Sequence, residues 1–446
     1  MAQNGWTMSY ELQEARELII KTGLWLVEKG YIARTWGNIS ARISDSQMVI
    51  TPSGRSYDSL TPEDIVIVNL SDGSFEGEIK PSGERAVHSR IYNLRKDADF
   101  IIHTHQFYAS AISVLGEDVE DVALYGDTSS EENTLQKVLG SVVPCAKYAL
   151  CGTDSLAKNV GATFKRCADA KAVLMKNHGA VAIGNTLEEA VEIVESLETV
   201  CKEKYEYICG CGAGATVGGC VVGAMYGAGA EADYGSSYLE NGYVHMTIGD
   251  ENVVWPLGYA QKAKKKDVPK ALRAIAMVHD GIYEQGNINF ISHVCTPFIM
   301  EVSSVDKGAL KKGFRPYIDD QAQLVGQDIR NIKIKTGFNK LLNKRAVKKV
   351  SFDHGAVFIQ GSGAMCFGES RDDIEALKSV LEKGAAAALL SYHIPVLKPL
   401  SKKNAIHLRT IYRDSYSKLK DYGMTASMIK NEKEAYLDVA EDGHMQ

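Results

Sequence analysis

Residues 97–113 read DADFIIHTHQFYASAIS, and residues 287–303 read NINFISHVCTPFIMEVS. The two stretches align without a gap at an offset of 190 residues (287 − 97 = 190). Each begins with an apolar run that is typical of a buried strand and continues through a turn into a segment with helical spacing. The repeated strand–turn–helix unit predicts a mixed α/β chain whose second half repeats its first.

A second pair of segments supports this repeat. VLMKNHGAVAIG (173–184) aligns with VFIQGSGAMCFG (357–368), which places Gly179 over Gly363. One matched unit can arise by chance, whereas two units in the same order indicate a duplication. We therefore predict three parts, namely a first domain over 1–205, a Gly/Ala/Cys-rich linker over 206–236 and a degenerate second domain over 237–446.

The composition excludes several classes of protein. The 446 residues exceed what a single ordinary core accommodates, and a net charge of -6 with 24% charged residues predicts no nucleic-acid partner. No apolar run reaches the roughly 18 residues of a membrane span, and acidic residues interrupt the N-terminus before a signal peptide could form. The nine scattered cysteines predict reduced thiols and a cytoplasmic location. Cys-x-Cys at 209–211 lacks a matching second pair, so loop thiols are favoured there over a zinc site.

Two histidines follow the first apolar run. His103 and His105 are two residues apart at the end of a predicted strand, so their imidazoles project from the same face. His178 lies in a distant turn at the end of another strand. Three protein ligands with one open position are the arrangement of a catalytic zinc site. A His-x-His pair alone is about as often two separate, satisfied histidines, and the third histidine favours the metal site.

Short polar segments carry the other candidates. In KPSGE (80–84), Ser82 can cap a helix that is predicted to begin at Gly83, and Glu84 is favoured in its first turn by the helix dipole. The free N–H groups of a helix start form a ready anion site. Taken alone, KPSGE is a capping sequence, TPSG (51–54) is a turn and GNIS (37–40) is a loop.

The second half keeps only part of this set. His293 aligns with His103, so the first histidine is retained. The other two histidines and the carboxylate are replaced by Cys295, Ser362 and Ile275, the last after a shift of one residue in the alignment. We predict a metal site in the first half and none in the second.

Together the motifs resemble the class II aldolase/adducin family. The resemblance lies in the order and spacing of GNISAR (37–42), ITPSG (50–54), KPSGE (80–84), HTH (103–105), VPCAKYALCGT (143–153) and KNHG (176–179). It covers residues 10–205 well and about 270–390 as a degenerate echo. It implies an α/β fold with two three-layer α/β/α domains, each with a mixed or antiparallel central sheet.

The resemblance also implies a role for each matching residue. His103, His105 and His178 match zinc ligands, and Glu84 matches the carboxylate that ligates zinc at rest and swings away to move a proton. The cradle for the substrate phosphate is matched by Asn38, Ser53, Gly54, Ser82 and Gly83. Several relatives have a second serine at the last of these positions, so this chain has lost one hydroxyl donor there.

Family members resemble one another in forming cyclic tetramers with active sites at subunit boundaries. A chain with two copies is therefore expected to form a homodimer, a pseudo-tetramer with two live and two silent sites. A tyrosine from the neighbouring unit serves as proton donor in the relatives, and Tyr125 and Tyr317 are the candidates here. We expect Tyr317 to serve the zinc site; the alternative is that both tyrosines are packing residues at interfaces.

These expectations define a zinc-dependent lyase. Its predicted reaction is the reversible aldol cleavage of a ketose phosphate, of the fuculose 1-phosphate type, to dihydroxyacetone phosphate and an aldehyde. Glu84 favours this branch, because the epimerase branch leads one to expect Asp there. A sugar-phosphate 4-epimerase, a decarboxylase, a dehydratase and a non-catalytic adducin-like binding module stay open as alternatives.

Overall fold

A computed structural model gives the structure of the chain. It describes residues 10–33, 35–120, 122, 125, 134–210, 234–258, 268–269, 271–305, 313–334 and 355–416. The chain divides into two compact units, of which the first comprises Met1–Lys204 with Thr410–Gln446 and the second Tyr205–Arg409. Most of the predicted linker, 211–233, lies outside the described residues, and the predicted domain boundaries stay predictions.

The first unit combines a sheet with helices. Its strands are β1 (Asn38–Arg42), β2 (Gln47–Ile50), β3 (Val66–Asn69), β4 (Phe100–Thr104), β5 (Cys145–Ala146), β6 (Ala172–Met175) and β7 (Gly179–Gly184). Its helices are α1 (Leu12–Glu28), α2 (Arg85–Leu94), α3 (Phe107–Ser113), α4 (Thr134–Leu139), α5 (Asp154–Arg166) and α6 (Leu187–Ile208), the last of which continues into the second unit.

The strands form one mixed sheet in the order β3-β2-β1-β4-β7-β6-β5. Neighbouring strands are antiparallel except β5 and β6, which are parallel. Tyr92 of α2 and Phe164 of α5 join Ile101 and Val173 in a buried apolar cluster on one face. Strand alternation turns Phe100 to the opposite face, and α1 packs there against β1 and β2. The first unit therefore has three layers.

Local sequence explains most of these elements. Helix α1 buries Ala15, Ile19 and Leu26, which recur at helical spacing. Helix α5 begins after Thr153, whose hydroxyl accepts a hydrogen bond from the Leu156 N–H. The strands predicted near 47–51, 65–69, 100–102 and 172–174 are all present in the structure.

Two local predictions are wrong. GNIS was expected to be a loop, but Asn38 begins strand β1, because this segment pairs with β2 on one side and β4 on the other. Helix α2 begins at Arg85 rather than at Gly83, and Glu84 is its N-cap residue. The Ser82 N–H donates to the Thr51 carbonyl, and the Ser82 hydroxyl accepts from the Glu84 N–H, so this segment is held outside the helix.

The second unit has its own sheet. Its strands are β8 (Ser236–Glu240), β9 (Tyr243–Ile248), β10 (Glu251–Pro256), β11 (Phe290–Val294), β12 (Gly313–Phe314), β13 (Ile329–Ile332), β14 (Ala356–Ile359) and β15 (Ala364–Gly368). Its helices are α7 (Arg273–Tyr283), α8 (Pro297–Ser304), α9 (Asp319–Val325), α10 (Arg371–His393) and α11 (Lys402–Ile411).

The second sheet follows the order β10-β9-β8-β11-β15-β14-β13-β12. Apart from β12, this order matches the first sheet strand for strand. The one parallel pair, β13 with β14, falls where β5 pairs with β6. The predicted fold class, two three-layer α/β/α domains with mixed central sheets, is confirmed.

The two sheets differ on one face. In the first unit all five residues of β1 are buried, with α1 against them. In the second unit β8, β9 and β10 alternate between buried and exposed residues, and Tyr238, Tyr243 and Val254 are exposed. None of the helices among the described residues is long and apolar enough to cross a membrane.

Candidate metal centre

Strand β4, at the middle of its sheet, carries His103, and His105 directly follows the strand. The strand pairs with β1, where His103 lies opposite Asn38, and with β7, where His103 lies opposite Val181. The His105 N–H donates to the Tyr31 carbonyl, which holds the segment just past the strand. A central strand that is paired on both sides gives these side chains a rigid base.

A tight turn between β6 and β7 presents the third histidine. Asn177 has a left-handed backbone with φ 60°, a conformation that asparagine tolerates better than most residues. His178 follows it, and its N–H donates to the Met175 carbonyl. A Cβ on Gly179 would lie 2.3 Å from the Thr104 carbonyl oxygen, so only glycine allows the turn to lie this close to β4.

The three imidazoles converge on one point. His103 Nε2 lies 3.1 Å from His105 Nε2 and 3.2 Å from His178 Nε2. One ligand atom from each of the three side chains lies within 4.8 Å of the others, and all three residues are buried. The structure therefore brings together the histidines that were predicted as metal ligands.

One ring is oriented by the backbone. His103 Nδ1 lies 2.8 Å from the Ala180 carbonyl oxygen, which can only accept. Nδ1 must therefore carry a proton, and in the neutral ring Nε2 has a lone pair that faces the other histidines. A hydrogen bond of this kind is what orients metal-binding histidines in proteins.

Glu84 completes the cluster. Its Oε2 lies 3.0 Å from His103 Nε2 and its Oε1 lies 3.2 Å from His178 Nε2. Burial alone would raise the pKa of this carboxyl, but the two imidazoles outweigh burial and hold the pKa well below its usual range. Glu84 is therefore an anion at neutral pH.

This donor set fits a zinc ion. In a tetrahedral site with Zn–N bonds of 2.0–2.1 Å, neighbouring nitrogens are about 3.3 Å apart. The His103–His105 and His103–His178 Nε2 separations, 3.1 and 3.2 Å, are close to that value. Glu84 Oε2 lies 3.0 Å from His103 Nε2, so a cation bound among the imidazoles would also be in reach of the carboxylate. His103, His105 and His178 could hold the metal, with Glu84 as a fourth ligand.

The predicted phosphate cradle consists of two loops that lie side by side. The Ser53 N–H donates to the Lys80 carbonyl, and the Ser82 N–H donates to the Thr51 carbonyl. Gly54 adopts a left-handed φ of 74° that turns the first loop. Among the described contacts, the backbone N–H groups of Gly54 and Gly83 have no bonded acceptor, so both are available to an anion.

Asn38, the remaining predicted cradle residue, contacts Glu84 and His88. Its Nδ2 donates to Glu84 Oε2 over 3.1 Å, and its Oδ1 lies 2.6 Å from His88 Nε2. His88 is fully buried on α2, and it was not singled out from the sequence. One signal was available, because the one-residue shift that sets Ile275 over Glu84 also sets His279 over His88 (275 − 84 = 191 and 279 − 88 = 191).

The corresponding place in the second unit is built differently. His293 Nε2 bonds to the Ser362 carbonyl, and Nδ1 accepts a hydrogen bond from the Tyr234 N–H over 3.2 Å. Both ring nitrogens are therefore engaged by the main chain. Cys295 Sγ lies 3.5 Å from Nε2. The histidine is retained at position 293, but both of its ring nitrogens are hydrogen-bonded to the main chain. The ring is therefore not arranged to bind a metal as His103 is.

The two candidate tyrosines are each buried in their own unit. Tyr125 is 8% exposed and Tyr317 is 6% exposed. The Tyr317 hydroxyl hydrogen-bonds to Ser391, and burial raises the pKa of the phenol. Their predicted role across a subunit boundary stays a prediction.

Known proteins share these features. The profile of the Class II Aldolase and Adducin N-terminal domain matches residues 17–205. A 5-deoxy-D-ribulose 1-phosphate aldolase from Bacillus thuringiensis serovar kurstaki is 36% identical over 196 residues, which are 44% of this chain and 86% of the relative. L-fuculose phosphate aldolase of Escherichia coli (strain K12) is 31% identical over 182 residues, 41% of this chain and 78% of the relative. A solved L-fuculose 1-phosphate aldolase is 32% identical with a TM-score of 0.40, covering 48% of this chain and 93% of that chain.

The fold and the histidine cluster, with these relatives, define a metal-dependent lyase. The chain belongs to the class II aldolase and adducin family. The predicted family and the prediction of an enzyme, a class II aldehyde-lyase, are confirmed.

Proposed function

We propose that the chain is a zinc-dependent aldolase. It reversibly cleaves a ketose phosphate, of the fuculose 1-phosphate type, into dihydroxyacetone phosphate and an aldehyde. The observation that carries the proposal is the convergence of three buried imidazoles and an anionic carboxylate within hydrogen-bond distance of His103 Nε2. Relatives named as aldolases of two different ketose phosphates support the reaction class.

The side chains divide the chemistry between them. His103, His105 and His178 would hold the zinc ion, and the bound metal would supply a Lewis acid for the negative charge that develops beside the carbonyl. Glu84 is ionised and lies against two of the histidines. It can take the proton of the substrate hydroxyl at the carbon that leaves as the aldehyde, and return a proton to the carbon of the other product.

The cradle loops would bind the phosphate. The N–H groups of Gly54 and Gly83 are donors, and the Ser82 hydroxyl still has its hydrogen to donate, since its oxygen accepts from the Glu84 N–H. Lys80 leads into the second loop; burial, and then the charge of Arg85, lower its pKa to about 8. Anchoring the phosphate there would position the reacting carbons at Glu84.

The same arrangement bears on the alternatives. A sugar-phosphate 4-epimerase, a decarboxylase or a dehydratase would use the same metal chemistry, and Glu84 in place of Asp favours the aldolase among them. An adducin-like binding module has lost its metal residues. The cluster here keeps all three histidines, with one ring oriented by the Ala180 carbonyl, which favours an enzyme.

We also propose that the chain is a tandem duplication that assembles as a homodimer. The matching strand order of the two sheets supports the duplication. Two zinc sites and two silent counterparts would then form a pseudo-tetramer, in which Tyr317 rather than Tyr125 serves the zinc site. Seven described cysteines are free thiols, which supports a reducing, cytoplasmic location.

Cleavage of a panel of ketose 1-phosphates tests the proposed reaction. The purified full-length chain is assayed for release of dihydroxyacetone phosphate, before and after treatment with a chelator and after zinc is added back. We expect cleavage of at least one 6-deoxy or 5-deoxy ketose 1-phosphate, loss on chelation and recovery with zinc. Epimerisation or dehydration without aldehyde release would reassign the reaction while retaining the metal site.

A further inference from the structure

A line of hydrogen bonds runs beneath the candidate site from the core to the carboxylate. The Tyr92 hydroxyl lies 2.9 Å from Ser40 Oγ, and Ser40 Oγ lies 2.6 Å from His88 Nδ1. His88 Nε2 then meets Asn38, whose amide donates to Glu84. All of these residues except Glu84 are at least nine-tenths buried. Strand alternation places Ser40 and Asn38 on the face of β1 that meets α2.

The donor and acceptor capacity of each group fixes the direction in which every hydrogen bond of this line is donated. A carboxylate only accepts, so the Asn38 atom that faces Glu84 is the NH₂ group and the other is the carbonyl oxygen. His88 must therefore donate from Nε2 to that oxygen. Burial, and then the nearby His103, lower the pKa of His88 to about 3, so the ring is neutral and its Nδ1 accepts from Ser40. Tyr92 in turn donates to Ser40.

The second unit contains the same series of tyrosine, serine and histidine, but it lacks the asparagine and the carboxylate at the end of the series. Ser237 Oγ lies 2.7 Å from His279 Nδ1 and 2.7 Å from the Tyr283 hydroxyl. His279 Nε2 lies 2.7 Å from the Tyr234 carbonyl oxygen, which only accepts, so this ring has the same tautomer. Gly235 follows directly, two residues before Ser237 as Asn38 is before Ser40, and it has no side chain to continue the line.

This comparison separates two functions of the line. In both units it ties a sheet strand to a helix. In the first unit alone it continues to the candidate metal ligand, and in the second the amide is missing together with the carboxylate, which Ile275 replaces. The Ser–His–Tyr hydrogen bonds that tie strand to helix, here called the clamp, are therefore common to both units, and the Asn38 amide is added to them in the first unit alone.

We propose that His88 is a positioning residue: its Nε2–H fixes the Asn38 amide so that the NH₂ group holds Glu84 Oε2 in place for the metal. The inference rests on the proposed zinc site and extends it to residues outside the ligand set. Hydrogen-bond partners of metal ligands typically change metal affinity or activity by about 10- to 100-fold when they are removed.

Two substitutions of His88 separate positioning from packing. Counted in bonds from Cα, a glutamine amide nitrogen occupies the place of Nε2 and an asparagine amide that of Nδ1. Zinc affinity of the full-length chain is measured by competition with a chromophoric chelator, alongside thermal unfolding. We expect His88→Asn to weaken zinc binding about 10-fold or more, and His88→Gln to retain most of the wild-type affinity.

The second unit supplies matched controls. His279→Asn and His279→Gln should disturb the clamp of their own unit and leave zinc affinity unchanged. Wild-type zinc affinity in His88→Asn, equal weakening by His279→Asn, or no advantage of His88→Gln over His88→Asn would each overturn the proposal. Absence of zinc from the wild-type chain would refute the proposed function instead.

A direct observation covers the case in which His88→Asn does not fold. Nitrogen-15 NMR of the metal-free wild-type chain, labelled in histidine, reports which ring nitrogen carries hydrogen, and His88→Gln identifies the His88 signal. We expect the Nε2–H tautomer at neutral pH. An Nδ1–H tautomer or a doubly protonated ring would overturn the directed line, whatever the zinc measurements show.

Discussion

Adding one methyl group at Gly179 should damage the metal site far more than it damages the fold. A Cβ there would lie 2.3 Å from the Thr104 carbonyl oxygen, whereas an ordinary contact begins at 3.4 Å. Relief of the contact requires a shift of about 1.1 Å (3.4 − 2.3 = 1.1) between β4 and the turn that carries His178. Thr104 lies between His103 and His105, so the shift separates two ligands from the third.

The expected loss of zinc binding and turnover follows from how little a metal site tolerates changes in metal–ligand distance. Metal–ligand distances are normally met within about 0.2 Å, and a misplacement of 1 Å can cost about 10²-fold in rate. Gly179→Ala should therefore lose tight zinc binding and about 10²-fold or more in turnover. Overpacking of this kind costs about 1–3 kcal/mol in stability, so the fold should survive.

Gly363→Ala is the matched control. Its Cβ would lie 2.2 Å from the Val294 carbonyl oxygen, and the residue has a left-handed φ of 80°. The steric conflict is at least as severe, and the left-handed backbone adds about 1–2 kcal/mol. We expect Gly363→Ala to lower the melting temperature at least as much as Gly179→Ala while one zinc ion per chain is retained. Wild-type zinc content in Gly179→Ala, or loss of zinc from folded Gly363→Ala, would refute the reasoning.

Three further predictions address other residues. Glu84→Gln should still bind one zinc ion through the three histidines, with an affinity lowered at least as much as in His88→Asn, and should lose most turnover, because an amide neither accepts nor returns a proton at neutral pH; full turnover would remove Glu84 from the mechanism. Tyr317→Phe should lower turnover about 10²-fold while Tyr125→Phe has little effect, and equal or reversed effects would exclude donation by the silent unit. Burial lowers the pKa of His88 from 6.5, its value in an unfolded chain, to about 3 in the folded chain. Between pH 3 and pH 6.5, His88 is therefore protonated in the unfolded chain and neutral in the folded one. Below pH 6.5 the metal-free wild type should therefore lose about 1.4 kcal/mol of stability per pH unit more than His88→Gln, and parallel denaturation curves would contradict this.

The sequence predicted the parts of the site that depend on local geometry. His103 and His105 share a face because they are two residues apart next to a strand, and the structure places their Nε2 atoms 3.1 Å apart. The third histidine was expected from its turn, and the structure brings it to the same point. Glu84 was expected at a helix start, and it is the N-cap residue of α2.

Other features depend on contacts between distant segments. GNIS contains the residues of a turn, and only its pairing with β2 and β4 makes it a strand. His88 looks like an ordinary core residue, because its partners Ser40 and Asn38 come from another element. His293 shows the converse case, because its identity is retained while backbone groups engage both of its nitrogens.

The count of zinc ions per chain tests the central claim most directly. The purified chain is reconstituted with zinc, dialysed and analysed for metal, together with His105→Ala and Cys295→Ala, which occupy equivalent positions in the two units. We expect one zinc per chain in the wild type and in Cys295→Ala, and none retained by His105→Ala, because two imidazoles do not hold the ion against solvent. Two zinc ions per chain, or loss of zinc from Cys295→Ala, would contradict a single metal site in the first unit.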